Sequence, residues 1–233
     1  MKAVILAGGK GTRLKPYTTV IPKPLVPVGE KAILEILLTR LKKCGVDEVF
    51  ICLNHFAEII MAFFGDGSKL GLQIHYSVEE EPLGTVGPVK RIKGLPEHFL
   101  VMNGDLLTDL DFHDLYEDHL QSDHILTVST YHRETKIDFG VLEVDEKLKL
   151  VKGFREKPRY DFEVSMGVYA MNRRVLEFVP ERKPFGFDDL MLTLLDNKQA
   201  VRVYPYRGYW LDIGRPDDYE KANEDMELLS RLL

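Results

Sequence analysis

Residue types suited to phosphate chemistry are concentrated near the start of the sequence, in residues 6–24 (LAGGKGTRLKPYTTVIPKP). Glycines allow positive φ and let backbone N–H groups approach a phosphate closely. Arginine adds a planar fork for phosphate oxygens, and lysine adds a point charge. The residues of the segment with these properties are Gly8, Gly9, Gly11, Arg13 and Lys23. Together they predict a loop that binds an anion.

Two familiar phosphate loops do not fit this segment. A dinucleotide-binding fingerprint needs a third glycine where Leu14 stands, and a Walker A loop needs Lys and then Ser or Thr after its last glycine. The prolines in and just after the segment instead predict an extended and stiff chain without a helix; they are Pro16, Pro22, Pro24 and Pro27. Taken singly, Lys10 and Lys15 are typical of a solvated loop surface.

Carboxylates that could bind a metal ion follow two apolar stretches. Asp105 ends the sequence VMNGD, and Asp212 lies within WLDIG. A carboxylate at the carboxyl end of a sheet strand lies where open α/β folds bind ligands, and its oxygens suit Mg²⁺ beside nucleotide phosphates. An Asn-Gly-Asp sequence by itself is also an ordinary turn signal. We expect Asp105 to bind Mg²⁺ with a second acidic group, for which Asp212 is the candidate.

The first half of the chain predicts a scaffold of alternating strands and helices for these residues. The apolar run at residues 3–7 is typical of a strand that is buried on both faces of a parallel sheet. Further strands are predicted at 48–53, 72–78 and 99–102, and helices at 32–44 and 57–64. This alternation predicts an α/β fold with a doubly wound, Rossmann-like and mostly parallel sheet.

The pattern changes after about residue 124 to strands with short connections. These strands are predicted at 125–131, 139–144, 148–154 and 164–171. They should form the antiparallel part of a mixed sheet. The last segment, residues 217–233, predicts a closing amphipathic helix because its apolar residues fall on one stripe, namely Tyr219, Ala222, Met226 and Leu229. We expect a single domain over residues 1–233.

Bulk composition limits the kinds of partner. The chain has 233 residues, a net charge of −6 and 29% charged residues, which argues against binding nucleic acid but is compatible with a local cluster of cations for small anions. No apolar run approaches the roughly 18 residues that span a membrane, and the N-terminus lacks a signal-peptide core. Cys44 and Cys52 are expected to be reduced core residues, so we expect a cytoplasmic protein without membrane contact.

The sequences GGKGTRLKPYT and PKPLVPV and the following helix resemble the sugar-1-phosphate nucleotidyltransferases, also called nucleotide-sugar pyrophosphorylases. The resemblance implies the nucleotide-diphospho-sugar transferase fold, with the nucleotide bound by residues 1–124 and the sugar by residues 125–233. It implies that Asp105 and Asp212 bind Mg²⁺ together. The residues implied to contact the nucleotide are Leu6, Ala7, Gly8, Gly9, Gly11, Thr12, Arg13, Glu79, Pro82, Gly84, Thr85, Asn103 and Gly104. Those implied to be catalytic are Arg13, Lys23, Asp105, Lys157 and Asp212.

Three short motifs in the second half resemble the sugar-binding motifs of this family. In REKP, Glu156 would accept hydrogen bonds from sugar hydroxyls and Lys157 would neutralise the sugar phosphate. In DFGV, Gly140 would lie against the sugar. The strand VSMGVY resembles the family's Asn-Ala-Gly-Ile-Tyr, with Ser165 in place of Asn and with Gly167 kept. The change to serine leaves the identity of the sugar open.

The sequence EEEPLGTVG, residues 79–87, resembles the segment that lines the nucleobase in this family. Thymidylyl and uridylyl enzymes usually carry glutamine there. Guanine presents adjacent N1–H and N2–H donors, which a carboxylate can accept as a pair. The EEEPLGT form is similar to mannose-1-phosphate guanylyltransferases, and alignment on Pro82 favours Glu79 as the acceptor, while Glu80 and Glu81 can be solvated. GTP is the leading nucleotide.

The implied reaction joins an NTP and a sugar 1-phosphate of mannose, glucose or heptose type, and it releases pyrophosphate. One alternative is a dTTP-, UTP- or CTP-specific enzyme such as glucose-1-phosphate thymidylyltransferase, and another is a non-catalytic regulatory protein that binds nucleotide-sugar. A glycosyltransferase would carry an Asp-x-Asp metal motif, but the Asp109 to Asp111 sequence here indicates a helix N-cap instead. The sequence ends soon after Gly214, so we expect no β-helix module, and any homo-oligomer would form through the catalytic domain.

Overall fold

The computed structural model describes residues 1–79, 81–181 and 183–227. The strands in chain order are β1 (Lys2–Leu6), β2 (Pro27–Val28), β3 (Lys31–Ala32), β4 (Glu48–Leu53), β5 (Gln73–Val78), β6 (His98–Asn103), β7 (Leu106–Thr108), β8 (Leu126–Lys136), β9 (Val141–Asp145), β10 (Leu150–Arg155), β11 (Arg159–Asn172), β12 (Arg202–Tyr206) and β13 (Trp210–Asp212). The α-helices are α1 (Ile33–Lys43), α2 (Ala57–Phe64), α3 (Gly87–Arg91), α4 (Phe112–Leu120), α5 (Phe187–Asp196) and α6 (Pro216–Glu224).

Seven strands form the central sheet, in the order β12-β8-β11-β6-β1-β4-β5. Neighbouring strands run parallel except where β11 pairs antiparallel with β6 on one side and with β8 on the other. This architecture confirms the predicted α/β fold with a mixed, mostly parallel sheet, and it places the antiparallel strand in the second half of the chain, as expected. None of the helices in the described part of the chain is long and apolar enough to cross a membrane.

The position of β1 in the middle of the sheet follows from its apolar sequence. Ala3, Val4 and Ile5 are fully buried, and the two faces of the strand contribute to separate apolar clusters. On one face, Ile5 packs in the cluster that includes the buried stripe of α1. On the other, Val4 packs in the cluster that includes Leu190 of α5. A strand covered on both sides must be apolar along its length, as this one is.

The glycine-rich segment after β1 differs from the extended chain that its prolines predict. It contains three 3-10 turns, Thr12–Leu14, Tyr17–Thr19 and Lys23–Leu25. Proline fixes φ near −65°, and this value suits a 3-10 turn as well as an extended strand. The prolines therefore exclude a long helix without requiring an extended path. The short turns bring the loop back toward the sheet.

A two-stranded ribbon of β9 and β10 is inserted between the long strands β8 and β11. The two long strands pair from Arg159 opposite Lys136 as far as Met171 opposite Leu126, with an irregularity between Ser165 and Tyr169. The outer part of this pair and the ribbon are largely exposed to solvent. The closing helix α6 follows the expected stripe, but Leu229 lies outside the described residues, as does Glu80 in the base motif.

Candidate functional site

A cleft of about 380 Å³ lies at the carboxyl ends of β1, β4 and β6. Because β1 lies between β4 and β6, the chain segments that follow these three strands meet at one edge of the sheet. Ligands of open α/β sheets bind at this edge. The lining residues are Leu6, Ala7, Gly8, Gly9, Lys10, Lys23, Pro24, Cys52, Asn54, Glu79, Pro82, Gly84, Thr85, Pro88, Asn103, Gly104 and Asp105.

Most of the residues predicted to contact a nucleotide line this cleft, but one group lies beside it. The described lining does not include Gly11, Thr12 or Arg13. The Gly11 carbonyl accepts a hydrogen bond of 2.7 Å from Thr18 Oγ1, which closes the loop on itself. Arg13 lies near Gly214, where a Cβ added to the glycine would be 3.6 Å from an arginine Nη. The structure therefore places Arg13 toward the strand of Asp212.

Asp105 and Asp212 are brought together by a pair of very short strands. β7 and β13 run antiparallel, so that Leu106 lies opposite Asp212. Ile213 N donates to the Asp105 carbonyl at 3.1 Å. Burial raises the pKa of the Asp212 carboxyl, and the charge of Asp105 raises it further. The positive charges of Lys23 and Arg13 act in the opposite direction. Two acidic and two basic groups thus share one electrostatic environment.

The Asp105 carboxylate has one occupied and one open oxygen. Lys23 Nζ donates to Oδ2, whereas Oδ1 is buried and has no hydrogen-bond partner among the described residues. A buried carboxylate oxygen without a partner is costly unless a ligand satisfies it. Within residues 1–79, 81–181 and 183–227, no group of three His, Cys, Asp or Glu could hold a metal ion. A cation at Asp105 and Asp212 would need further ligands from water or substrate.

The base motif is held in place by a hydrogen bond within itself and by contacts with the segment at the start of α5. Glu79 Oε2 accepts a hydrogen bond of 3.1 Å from Leu83 N, and burial raises the pKa of the Glu79 carboxyl. Gly84 has φ of +78°, and a Cβ there would be 2.6 Å from the Phe185 carbonyl oxygen. Phe187 N donates to Thr85 Oγ1 at 2.9 Å. The segment is therefore positioned by its own hydrogen bond and by the start of α5.

The residues predicted to bind a sugar fall in two places. Gly167 lies against Asn103, because with φ of +72° its added Cβ would be 2.5 Å from Asn103 Nδ2. The Ser165 hydroxyl lies 3.2 Å from the Tyr169 hydroxyl and accepts a hydrogen bond from Gly167 N at 3.3 Å. This pair therefore lies next to the cleft wall.

Gly140, Glu156 and Lys157 lie together at the base of the ribbon. A Cβ added at Gly140 would be 3.2 Å from Glu156 Oε2, and both Glu156 and Lys157 are exposed. The described residues that line the cleft do not include these three. The structure joins the REKP and DFGV motifs to each other without placing them in the nucleotide cleft.

Sequence reasoning missed several lining residues. Asn54 directly follows the apolar strand β4, and its Nδ2 donates to the Glu79 carbonyl at 3.4 Å. The strand-end reasoning applied to Asp105 could have found it. Lys10 lines the cleft, although taken singly it was expected only at a solvated surface. Cys52 and Pro88 carried no signal of their own, because neither residue type indicates a ligand, and Pro24 was noted only as part of the PKPLVPV motif.

The Asp109 to Asp111 sequence has the structural role that was expected. Asp111 is the N-cap of α4, and its Oδ1 accepts a hydrogen bond of 2.8 Å from His113 N. Asp109 Oδ1 accepts from Tyr209 N at 2.6 Å and from the Tyr206 hydroxyl. Both carboxylates are therefore already engaged by the fold.

Comparison with known proteins identifies the family of the chain. The sequence profile described as Nucleotidyl transferase matches residues 2–228. The chain is 35% identical over 229 residues to Probable mannose-1-phosphate guanylyltransferase 1 of Oryza sativa subsp. japonica, covering 94% of this chain and 63% of the relative. It is 33% identical over 242 residues to UTP–glucose-1-phosphate uridylyltransferase of Synechocystis sp., covering 95% and 62%. The chain thus spans slightly less than two thirds of the length of these relatives.

A solved structure resembles the chain over nearly its whole length. The crystal structure of HddC from Yersinia pseudotuberculosis has a TM-score of 0.75 and 30% identity, covering 97% of this chain and 99% of HddC. A second HddC structure, complexed with GMP-PN, has a TM-score of 0.73.

Proposed function

This chain belongs to the Nucleotidyl transferase family, and from that premise we propose that it transfers a guanylyl group from GTP to a sugar 1-phosphate. One observation carries the proposal: Asp105, Asp212 and Lys23 converge beside a cleft whose wall is a glycine-rich loop. In the reaction, an oxygen of the sugar 1-phosphate attacks the α-phosphorus of the NTP. The bond to pyrophosphate breaks in line with this attack, so no protein nucleophile is required.

The two aspartates fit a Mg²⁺ ion. Asp105 Oδ1 is buried without a partner among the described residues, and Asp212 lies close enough for the charge of Asp105 to add to the rise that burial causes in its pKa. Mg²⁺ is commonly held by one or two carboxylates together with substrate phosphates, which agrees with the absence of a third ligand in the described residues. When bound, Mg²⁺ would neutralise charge on the phosphate oxygens.

The remaining chemistry is assigned to side chains that position and neutralise phosphates. The backbone of Gly8 and Gly9 lines the cleft and would face the triphosphate. Lys23, which donates to Asp105, would contact the α-phosphate, and Arg13, which lies near Gly214, would contact the pyrophosphate. Catalysis by such groups depends on their being oriented before the reaction begins.

Glu79 is proposed to select guanine. It lines the cleft, and one of its oxygens already accepts from Leu83 N, so its position is defined before a base binds. The similarity to a guanylyltransferase and to HddC, which has been solved with GMP-PN, supports GTP. The similarity to a uridylyltransferase supports the alternative of a pyrimidine nucleotide. Glu79 stands where pyrimidine-specific enzymes usually carry glutamine, and this difference favours GTP.

The sugar is proposed to bind between Gly167 and the base of the ribbon. Gly167 contacts Asn103 in the cleft wall, while Gly140, Glu156 and Lys157 form an exposed group at the base of the ribbon. In this arrangement Lys157 neutralises the sugar phosphate and Glu156 accepts from sugar hydroxyls. The division into a nucleotide-binding part at residues 1–124 and a sugar-binding part at 125–233 follows from these assignments.

A direct assay separates the candidates. Purified protein is incubated with Mg²⁺, with mannose 1-phosphate or glucose 1-phosphate, and with each NTP in turn, and the released pyrophosphate is measured. Release with GTP alone supports the proposal, whereas release with UTP, dTTP or CTP alone supports the pyrimidine alternative. No release with any pair, combined with tight binding of a nucleotide-sugar, would identify a regulatory protein instead.

The ribbon suggests that the protein also associates with itself. Several of its apolar side chains are more than half exposed, namely Leu142, Val144, Leu150, Val151 and Phe154. Monomers rarely leave large apolar patches uncovered, so we propose a homo-oligomer that covers the ribbon. Light scattering after gel filtration tests this, and a monomer mass would contradict it.

The free thiols of Cys44 and Cys52 fit a reducing, cytoplasmic location.

A further inference from the structure

A second cavity of about 370 Å³ lies behind the base motif. It is formed by part of α3 and by three described residues that precede α5, and no described residue lines both this cavity and the nucleotide cleft. The lining residues described by the structure are Leu83, Gly87, Lys90, Arg91, Pro180, Glu181 and Lys183. The function proposed above does not use this cavity.

The cavity is positively charged in a protein whose net charge is −6. Its lining has three cations, Lys90, Arg91 and Lys183, against the single carboxylate of Glu181. Lys90 Nζ donates to the Val179 carbonyl, which holds this ammonium at the cavity wall. Lys90 and Arg91 lie in the last turn of α3, where the helix dipole favours cations even without a ligand. The dipole does not account for Lys183, which comes from a different segment.

Two of these cations are available to a ligand. Neither the Arg91 guanidinium nor the Lys183 ammonium forms a salt bridge with another described residue. A guanidinium and an ammonium that face a common cavity are suited to phosphate oxygens, because one offers a planar fork and the other a mobile point charge.

The cavity is mechanically connected to the nucleotide cleft. Phe185 N donates to the Leu83 carbonyl at 2.8 Å, and Val86 N donates to the Phe185 carbonyl at 3.0 Å. The segment from Leu83 to Gly87 therefore has the cavity on one side and the cleft on the other. The charge of Arg91 also opposes the rise that burial causes in the pKa of Glu79.

We propose that Lys90, Arg91 and Lys183 form a second binding site for a phosphate-bearing anion, separate from the catalytic cleft. The ligand carries at least one phosphate dianion and enters from the solvent side, where Arg91 and Lys183 are exposed. Free pyrophosphate and the diphosphate of a nucleotide share this chemistry, so both are candidate ligands. The site goes beyond the proposed function and does not depend on turnover.

The test follows backbone amides by TROSY NMR while pyrophosphate or, in a separate titration, GDP is added at constant ionic strength without Mg²⁺. In the wild-type protein at least one of the two probes should give saturable shifts at the amides of Val89 to Arg91 and of Lys183. Shifts at Gly8 and Gly9 report on the catalytic cleft in the same sample. Anion binding at the second site and binding in the catalytic cleft are therefore tested independently.

The variant Lys183→Glu should weaken the anion at the second site by at least tenfold and leave the shifts at Gly8 and Gly9 unchanged. Lys69→Glu is the matched control, because it makes the same change at an exposed lysine. Lys69 precedes β5, whereas the base motif follows β5, so the two lie at opposite ends of the strand. Arg91→Gln provides a second variant with the same expected loss if Lys183→Glu does not fold. The proposal is overturned if neither probe shifts these amides, or if Lys183→Glu and Lys69→Glu bind both probes equally.

Discussion

Lys23 Nζ donates a hydrogen bond to Oδ2 of Asp105, although 82 positions separate the two residues in the sequence. The contact joins the last turn of the glycine-rich segment to the end of β6, and it leaves Oδ1 of the same carboxylate open. A cation and a carboxylate with one free oxygen therefore stand side by side at the cleft. This arrangement can hold a phosphate and a metal ion together, and the first predictions depend on it.

Asp212→Asn should lower the rate of pyrophosphate release by about a hundredfold or more, which is roughly 3 kcal/mol of transition-state stabilisation. The amide keeps the shape of the side chain but removes the charge that would hold Mg²⁺. Asp217→Asn is the matched control, since it makes the same change at an exposed neighbour on α6. Near-normal turnover of Asp212→Asn would remove this residue from the proposed metal site.

The same variant should be more stable than the wild-type protein at neutral pH without metal. Burial and Asp105 raise the pKa of Asp212, so the folded state favours its neutral form. The stability linked to this group is full below the unfolded pKa and is lost as pH rises through the raised folded value. Urea denaturation at pH 7 should therefore favour Asp212→Asn, and the advantage should shrink near pH 3.5. An advantage that does not change with pH would contradict this explanation.

Arg13→Ala should also reduce turnover by about a hundredfold, because a guanidinium that stabilises the leaving pyrophosphate acts mainly in the transition state. Steady-state kinetics should show the loss in kcat, while the circular dichroism spectrum stays unchanged. Lys15→Ala removes a nearby exposed cation from the same loop and should have little effect. Equal losses in the two variants would mean that only the overall charge of the loop matters.

Glu79→Gln should reduce kcat/KM for GTP by about tenfold, the effect of losing one charged hydrogen-bond acceptor. Activity with UTP or dTTP should not fall in parallel, because these bases present an N–H between two acceptors. Glu81→Gln is the control, since Glu81 belongs to the same motif but is exposed and does not line the cleft. An unchanged ratio of GTP to UTP activity in Glu79→Gln would show that the base is selected elsewhere.

His119 should make the fold sensitive to acid. Burial lowers its pKa from 6.5 to about 4, and its Nδ1 lies 2.8 Å from Thr127 Oγ1. The stability linked to this group is full above pH 6.5 and is lost as pH falls to about 4. This loss amounts to about 3 kcal/mol. Urea denaturation of His119→Gln between pH 7 and pH 4 should show a smaller loss than the wild-type protein, whereas His113→Gln, at an exposed position of the same helix, should behave like the wild type.

The regular elements were predictable because their signals are local. Strand β4 and helix α2 begin and end at the residues that hydrophobic pattern and glycine position indicate, Glu48–Leu53 and Ala57–Phe64. The apolar run of β1 likewise predicted a strand that is buried on both faces. In each case a few consecutive residues carry enough information about burial to define the element.

The short elements that assemble the site were not predictable from such signals. Strands β7 and β13 have three residues each, which is too short for a periodic pattern, yet their pairing is what brings Asp212 beside Asp105. The 3-10 turns of the first loop were not predicted, because the φ of proline suits both an extended chain and a 3-10 turn. The place of Arg13 beside Gly214 also depends on this pairing.

The sequence by itself determined the class of fold, the glycine-rich loop and the acidic and basic residues from which a nucleotidyl-transfer site could be built. The tertiary structure alone decided which of them meet. It joined Lys23 to Asp105, and it left Glu156 and Lys157 outside the nucleotide cleft. It also placed a second group of cations in a cavity between α3 and Pro180, Glu181 and Lys183. The physical reason is that secondary structure follows from neighbouring residues, whereas a site requires contacts between segments whose separation in sequence says nothing about their distance in space.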